Sequence, residues 1–290
     1  MTLLQLRVLL AVADRGGFTL AAEQIGMSQP AVSRAVAALE DELGTSLFTR
    51  RRDGIILTEA GHRAVLHARG ALTHFDLLRT EVAAIGGQVT GTLRLASLPS
   101  ATGTLVAAQL GTFAERYPQV QVRLFEGDEP EVRTWLDQGA ADVGVLSLPA
   151  PGRETAVLDT HEMVAALPAE HPLAGLPRVS ISALAGQPFI LSTGGCGPLI
   201  TAAARNAGTR LEVTYEAREL SAIMQMIGAG LGVSIVPTLG LPAGFDGVVI
   251  RPLEQPPTRT LAIALGSADS TPAARAFFDH VAGAGQPSAA

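Results

Sequence analysis

The stretch Ala22-Glu23-Gln24-Ile25-Gly26-Met27-Ser28-Gln29-Pro30-Ala31-Val32 holds the end of one helix, the start of another and the turn between them. Two helices that cross steeply through a three-residue turn need a small side chain where they touch, and Ala22 supplies it. The turn needs a residue at ease with positive φ, which Gly26 provides. Val32 then packs the second helix back onto the first. Ser28 stands where an N-cap is wanted, and Pro30 falls in the first turn, where a missing N–H is tolerated. The stretch reads as a helix-turn-helix.

Upstream, Leu3, Leu6, Leu9, Leu10, Val12 and Ala13 recur at helical spacing, predicting a helix over 3–15 stopped by Gly16-Gly17. Thr19 is expected to cap a short helix over 20–25. Downstream, Ala31, Val32, Val36, Leu39 and Leu43 form the apolar side of the second helix, which Gly44 ends. Leu47-Phe48 and Ile55-Ile56-Leu57 read as two short strands around Arg52-Asp53-Gly54. Thr58 then caps a long helix, roughly 59–85, with Val65, Ala68, Leu72, Phe75, Leu78, Val82 and Ile85 spaced as a helix-packing seam. Gln88-Val89-Thr90-Gly91 is the natural linker.

Beyond residue 91 the texture changes to alternating short strands and helices. Strand-like runs fall at 93–97, 120–125, 143–148, 189–191, 233–236 and 261–265, and helices at about 104–117, 129–138, 198–207, 219–229 and 272–282. That alternation predicts parallel α/β units. The end of the chain, 285–290, is expected to fray.

With 290 residues, 47% of them apolar and 17% charged, the chain can fill two domains. All 21 basic residues are arginine, and the net charge is −6, so attraction to a polyanion must come from a local patch. The single cysteine, Cys196, rules out an internal disulfide framework and fits a reducing compartment. The N-terminus lacks a basic start followed by an apolar run, and no apolar stretch has the roughly 20 residues that cross a bilayer. A cytoplasmic protein without membrane contact is the expectation. The six histidines are dispersed, and no Gly-x-Ser-x-Gly, phosphate loop or His-Glu-x-x-His occurs. Neither catalysis nor a metal or cofactor is expected.

Five blocks within the first 62 residues resemble the LysR-type transcriptional regulators: Phe18-Thr19-Leu20-Ala21-Ala22, Ser28-Gln29-Pro30-Ala31-Val32-Ser33-Arg34, Leu39-Glu40-Asp41-Glu42-Leu43-Gly44, Leu47-Phe48-x-Arg50 and Leu57-Thr58-x-Ala60-Gly61. The resemblance extends over essentially the whole chain. It implies a winged helix-turn-helix over 1–58, a dimerisation helix and hinge over 59–90, and an effector domain over 91–290 similar to periplasmic solute-binding proteins. Double-stranded DNA is then the partner. Gln29, Pro30 and Ser33 are expected at base edges, Arg34 at a phosphate or base, and Arg50 and Arg52 at the backbone or minor groove. Ser28 serves both as cap and as phosphate contact. The chain departs from the family at Ala35 and Ala37, where glutamine and a basic residue are frequent. Residues 1–62 hold six arginines against seven acids, so affinity per head is weak and heads must act together. The family does this as a homodimer, often paired into a homotetramer. Leu72, Phe75 and Val82 are the expected interface, although the same seam suits intramolecular packing. RNA polymerase is a further partner.

The effector domain is expected as two α/β subdomains, one over 91–163 with 266–290 and one over 164–265, the chain crossing near 163 and near 265. Between them the resemblance places a small-molecule effector of unknown identity, with Ser97, Ser100, Ala101 and Thr102 on one side. Thr193, Gly195, Cys196, Pro198 and Ile200 face them from a glycine-rich turn. Glu129 either faces the cleft, disfavouring a dianion, or only complements a helix dipole. Cys196 lines the pocket, or alternatively senses oxidants without a second cysteine.

Overall fold

The computed structural model describes residues 1–51, 54–84, 88–241, 244–267 and 270–284. The head is built from α1 (Leu3–Arg15), α2 (Phe18–Ile25) and α3 (Gln29–Leu43), followed by β1 (Phe48–Arg51) and β2 (Gly54–Leu57). Ala22 is buried where α2 meets its neighbours, Val32 is buried on α3, and Gly26 adopts φ 67° in the turn. Val8, Val12, Ala21, Ala22, Val32 and Val36 share one core cluster. A charged side chain also shapes the head, for Glu40 accepts from the backbone N–H of Leu47 at 2.6 Å and ties α3 to the first strand.

Three local expectations are corrected. The second helix begins earlier, at Phe18, with Gly17 and not Thr19 at the N-cap position. Ser28 occupies the N-cap position of α3, but its hydroxyl makes no capping bond. Leu43 belongs to the exposed side of its helix and not to the core. Thr58 does cap the next helix, α4 (Glu59–Ala84), accepting from Gly61 N–H at 2.9 Å. The wing strands pair antiparallel, Phe48 opposite Leu57 and Arg51 opposite Gly54.

One face of α4 is used within the chain. Val65 and Ala68 are buried, and Leu72 packs with them against Leu6, Leu9 and Leu39. The expected seam is therefore divided. Leu72 packs intramolecularly, Phe75 is half-buried, and Leu78 and Val82 are exposed.

The effector domain contains β3 (Gly91–Ser97), α5 (Pro99–Ala101) with a π-helical turn leading into α6 (Ala107–Arg116), β4 (Val120–Glu126), α7 (Glu129–Asp137), β5 (Val143–Ser147) and β6 (Thr155–Pro168). It continues with β7 (Pro188–Ser192), α8 (Gly197–Asn206), β8 (Glu212–Ala217), α9 (Leu220–Gly228), β9 (Ser234–Pro237), β10 (Val248–Pro252), β11 (Thr258–Leu265) and α10 (Pro272–Ala284). The strand order is β10-β6-β11-β5-β3-β4, with β9 also on β6. β3 runs parallel to β4 and β5, whereas β11 runs antiparallel to β5 and β6. The sheet is mixed, not purely parallel.

The strand β6 is the backbone of the domain. Its first half pairs with β11, and its second half pairs with β9 and β10. The outward crossing lies within it, near Glu162. The return crossing falls before Thr258 and not near 265, because β11 pairs with β5 and β6 and buries Leu261, Ile263 and Leu265 in the first subdomain's core. Phe113 and Phe277 stack edge to face in that core, with centroids 5.1 Å apart. The second subdomain packs Met163, Phe189, Ile200 and Ile235 on one side of its strands and Ile190, Ile223 and Ile227 on another. Arg94 joins this domain to α4. Its guanidinium pairs with Asp142, donates to the Gly139 carbonyl at 2.9 Å and reaches Thr73 on α4.

Candidate functional site

The outer surface of α3 is the first candidate. Its core residues, Val32, Val36 and Leu39, fix which side faces inward. Helical periodicity then turns Gln29, Pro30, Ser33 and Arg34 to the other side. Gln29, Pro30 and Arg34 are exposed, as is Ser28, and Ser33 is half-buried. The helix presents polar side chains on a rigid support, as reading base edges in a major groove requires. Arg50 lies in β1, and Arg52 lies outside the described residues.

The second candidate is a cleft of about 200 Å³ between the subdomains. Ser100 and Asp128 line it from the first, Ser192, Cys196 and Arg218 from the second, and Arg259 from the start of β11, just after the return crossing. Only part of the expected set meets here. Ser100, on the α5 turn, and Cys196, just before α8, do line the cleft. Ser97 is fully buried, with its hydroxyl on the adjacent Leu98 carbonyl, and Ala101 and Ile200 belong to the two cores. Thr102 donates to the Leu98 carbonyl at 3.1 Å, which ties its hydroxyl to the helix. Thr193 and Pro198 are exposed outside the lining, and Gly195 passes over the inner end of Arg259.

Glu129 does more than complement the α7 dipole. Its side chain is 13% exposed, accepts from Arg133 Nη2 at 2.7 Å and stands 3.7 Å from Arg259 Nη2. Arg259, absent from the expected set, is the most buried charge of the cleft at 4% exposure. Its Nε donates to Ser147 Oγ at 2.9 Å and its Nη1 to Cys196 Sγ at 3.3 Å. The sequence carried one signal for it. Arg259 stands in phase with Leu261 and Ile263 at the start of an apolar strand, and so points toward the interior.

Burial pushes the Cys196 thiol up from its ordinary value, with Arg259 opposing and Glu129 reinforcing the shift. The sulfur is therefore a neutral thiol near pH 7. At the rim, Arg218 of the second subdomain reaches Glu131 of the first at 2.8 Å and Asp128 at 3.8 Å. The Glu131 carboxyl lies below its ordinary value, first because it accepts from the Asp128 N–H at 2.8 Å and then because of Arg218.

Among the described residues no group of three metal-ligating side chains is assembled, and no helix is long and apolar enough to cross a membrane. The bacterial regulatory helix-turn-helix, lysR family, matches residues 3–62, and the LysR substrate binding domain matches residues 86–286. The probable HTH-type transcriptional regulator LrrA of Synechococcus elongatus is 37% identical over 283 residues, 96% of each chain. A probable hydrogen peroxide-inducible genes activator of Streptomyces viridosporus is 33% identical over 243 residues, 81% of this chain and 77% of that one. A full-length OxyR variant from Pseudomonas aeruginosa shares the fold with a TM-score of 0.76 at 26% identity, over 97% of this chain and 94% of that one. These domains and relatives are those of transcription regulators, not enzymes. The chain belongs to the LysR family, as a DNA-binding transcription regulator with an effector-binding domain.

Proposed function

We propose that Gln29, Pro30, Ser33 and Arg34 read a specific double-stranded operator and that a small polar molecule seated beside Ser100 changes how paired heads are presented to it. The observation that carries this reading is the cleft itself, lined from both subdomains and connected to the head by the single helix α4. A ligand that bridges the subdomains favours one angle between them, and it shifts the equilibrium only by its differential affinity for the two arrangements. The homodimer forms through the C-terminal half of α4, where Leu78 and Val82 are exposed and Phe75 is half-buried. The working compartment is the cytoplasm.

The test of the DNA assignment is binding of Gln29→Ala to operator and to scrambled DNA. The variant should lose about 1–3 kcal/mol on the operator and little on scrambled DNA. Equal losses on both would remove Gln29 from the base contacts.

The contact between Cys196 and Arg259 favours a second reading, oxidant sensing at the thiol, to which the relative named as a probable hydrogen peroxide-inducible genes activator adds weight. Burial of the sulfur opposes it, since the thiolate is the reactive form and desolvation disfavours it. The organic-effector reading is the stronger of the two.

A further inference from the structure

Arg259 has more donors than the protein satisfies. Its Nη2 is buried with no hydrogen-bond partner, one of three such side-chain atoms among the described residues. A second, His161 Nε2, belongs to the residue directly opposite Arg259 in the β6–β11 register. Paired residues of an antiparallel ladder project from the same face, so both unsatisfied groups sit on one side of the crossing strands. A buried cation with an idle donor is costly, because burial strips its hydration and nothing replaces it.

The neighbouring charges do not remove the deficit. Glu129 Oε2 stands 3.7 Å from Nη2, beyond hydrogen-bond distance, and the other oxygen of that carboxylate is held by Arg133. Cys196 contributes a neutral thiol. Asp128 and Glu131 are turned to Arg218 at the rim. The backbone at Gly195 comes close, since a Cβ built there would lie 3.2 Å from Nη2. Arg259 nonetheless lines the cleft, together with the hydroxyls of Ser100 and Ser192.

We propose that Arg259 is the specificity-determining residue of this cleft and that it seats the anionic end of a small monocarboxylate, received at Nη2. The inference rests on the effector reading above and deepens it. One idle donor beside a partly committed glutamate suits a single negative charge; a second would meet Glu129, Asp128 and Glu219. Ser100 then faces the other end of the ligand, which requires a hydroxyl or carbonyl there. The volume of about 200 Å³ is below the roughly 300–1,000 Å³ of drug-sized pockets, so the ligand is compact.

The test is a thermal-shift titration of the full chain with acetate, acetamide, nitrate and glycerol, on wild type, Arg259→Lys, Arg259→Gln and Ser100→Ala. Apparent affinities follow from the concentration dependence of the melting temperature. Wild type should prefer acetate over acetamide by about 10- to 100-fold, the range expected for a charge-assisted bond. Arg259→Lys should keep a reduced preference, since a point charge remains without the planar fork. Arg259→Gln should bind acetate and acetamide alike. Circular dichroism reports whether that variant folds; if it does not, the wild-type ratio and the lysine variant decide. Equal wild-type affinity for acetate and acetamide overturns the proposal, as does tighter binding of nitrate, which would mark an inorganic-anion seat. Glycerol binding that is lost in Ser100→Ala, with no acetate preference, overturns the role of Arg259 and leaves the effector cleft standing. No response of wild type to any of the four solutes overturns both.

Discussion

The head and the cleft handle polar groups in opposite ways. On α3 the polar side chains Gln29 and Arg34 are exposed on a helix whose orientation is fixed by Val32, Val36 and Leu39. In the cleft, Arg259 is buried and engages Ser147 and Cys196, with the half-buried Glu129 beside it held by Arg133. A surface of the first kind docks as a rigid body, and its partner only has to displace water and counterions. A site of the second kind adds ligand atoms to a network that already holds its charges in place, so occupancy and local structure are coupled. The difference assigns recognition to the head and response to the cleft.

The sharpest way to break the comparison is to spoil the rigidity of the head. A Cβ at Gly61 would lie 2.0 Å from the Leu47 carbonyl oxygen, where backbone meets backbone at the foot of the wing. Gly61→Ala should therefore cost about 3 kcal/mol in head stability, measured by denaturant unfolding, with the effector domain unchanged. A variant as stable as wild type would show that the wing yields, and that the head is no rigid reader.

The next effect lies between the two regions. Val82→Glu puts an unpaired charge into the free side of α4 and should weaken the dimer at least about 100-fold in sedimentation, leaving the fold intact. An unchanged assembly would place the interface elsewhere.

The smallest effect is at the rim of the cleft. Arg218 and Glu131 are each nearly half exposed, and exposed pairs contribute little, so Arg218→Ala should barely change stability at pH 7. The sign with pH is fixed. The folded carboxyl of Glu131 lies below its ordinary 4.5, so the contribution is present above 4.5 and is lost as pH falls through the lowered value. Wild type and variant should therefore converge in acid. A difference that grows in acid would mean that the pair does not close the cleft as described.

What could be read from the sequence follows the same division. Ala22, Gly26 and Val32 lie within eleven residues, and their spacing alone determines a crossing of two helices. The cleft draws on residues from 99 to 259, brought together by strand pairing across some hundred positions, as between Arg259 and His161. Chemistry spread over that distance leaves no local pattern. The strand β6 was not legible either, since Asp159, Thr160, His161 and Glu162 interrupt its apolar residues where it passes between subdomains. β11 pairs with that strand, so the return crossing and the place of Arg259 depend on a partner that has no pattern of its own. Ser97, Ala101 and Ile200 face inward, and a turn's position can be read from sequence more readily than which of its residues do so.

The most direct test of the separation between recognition and response is a DNase footprint of wild type and Ser100→Ala on one operator. Each is measured with and without the solute that gives the largest thermal shift. The account predicts that the wild-type footprint changes in length or bend with the solute, while Ser100→Ala keeps the solute-free footprint at unchanged operator affinity. A footprint of Ser100→Ala that responds to the solute as wild type does would contradict it.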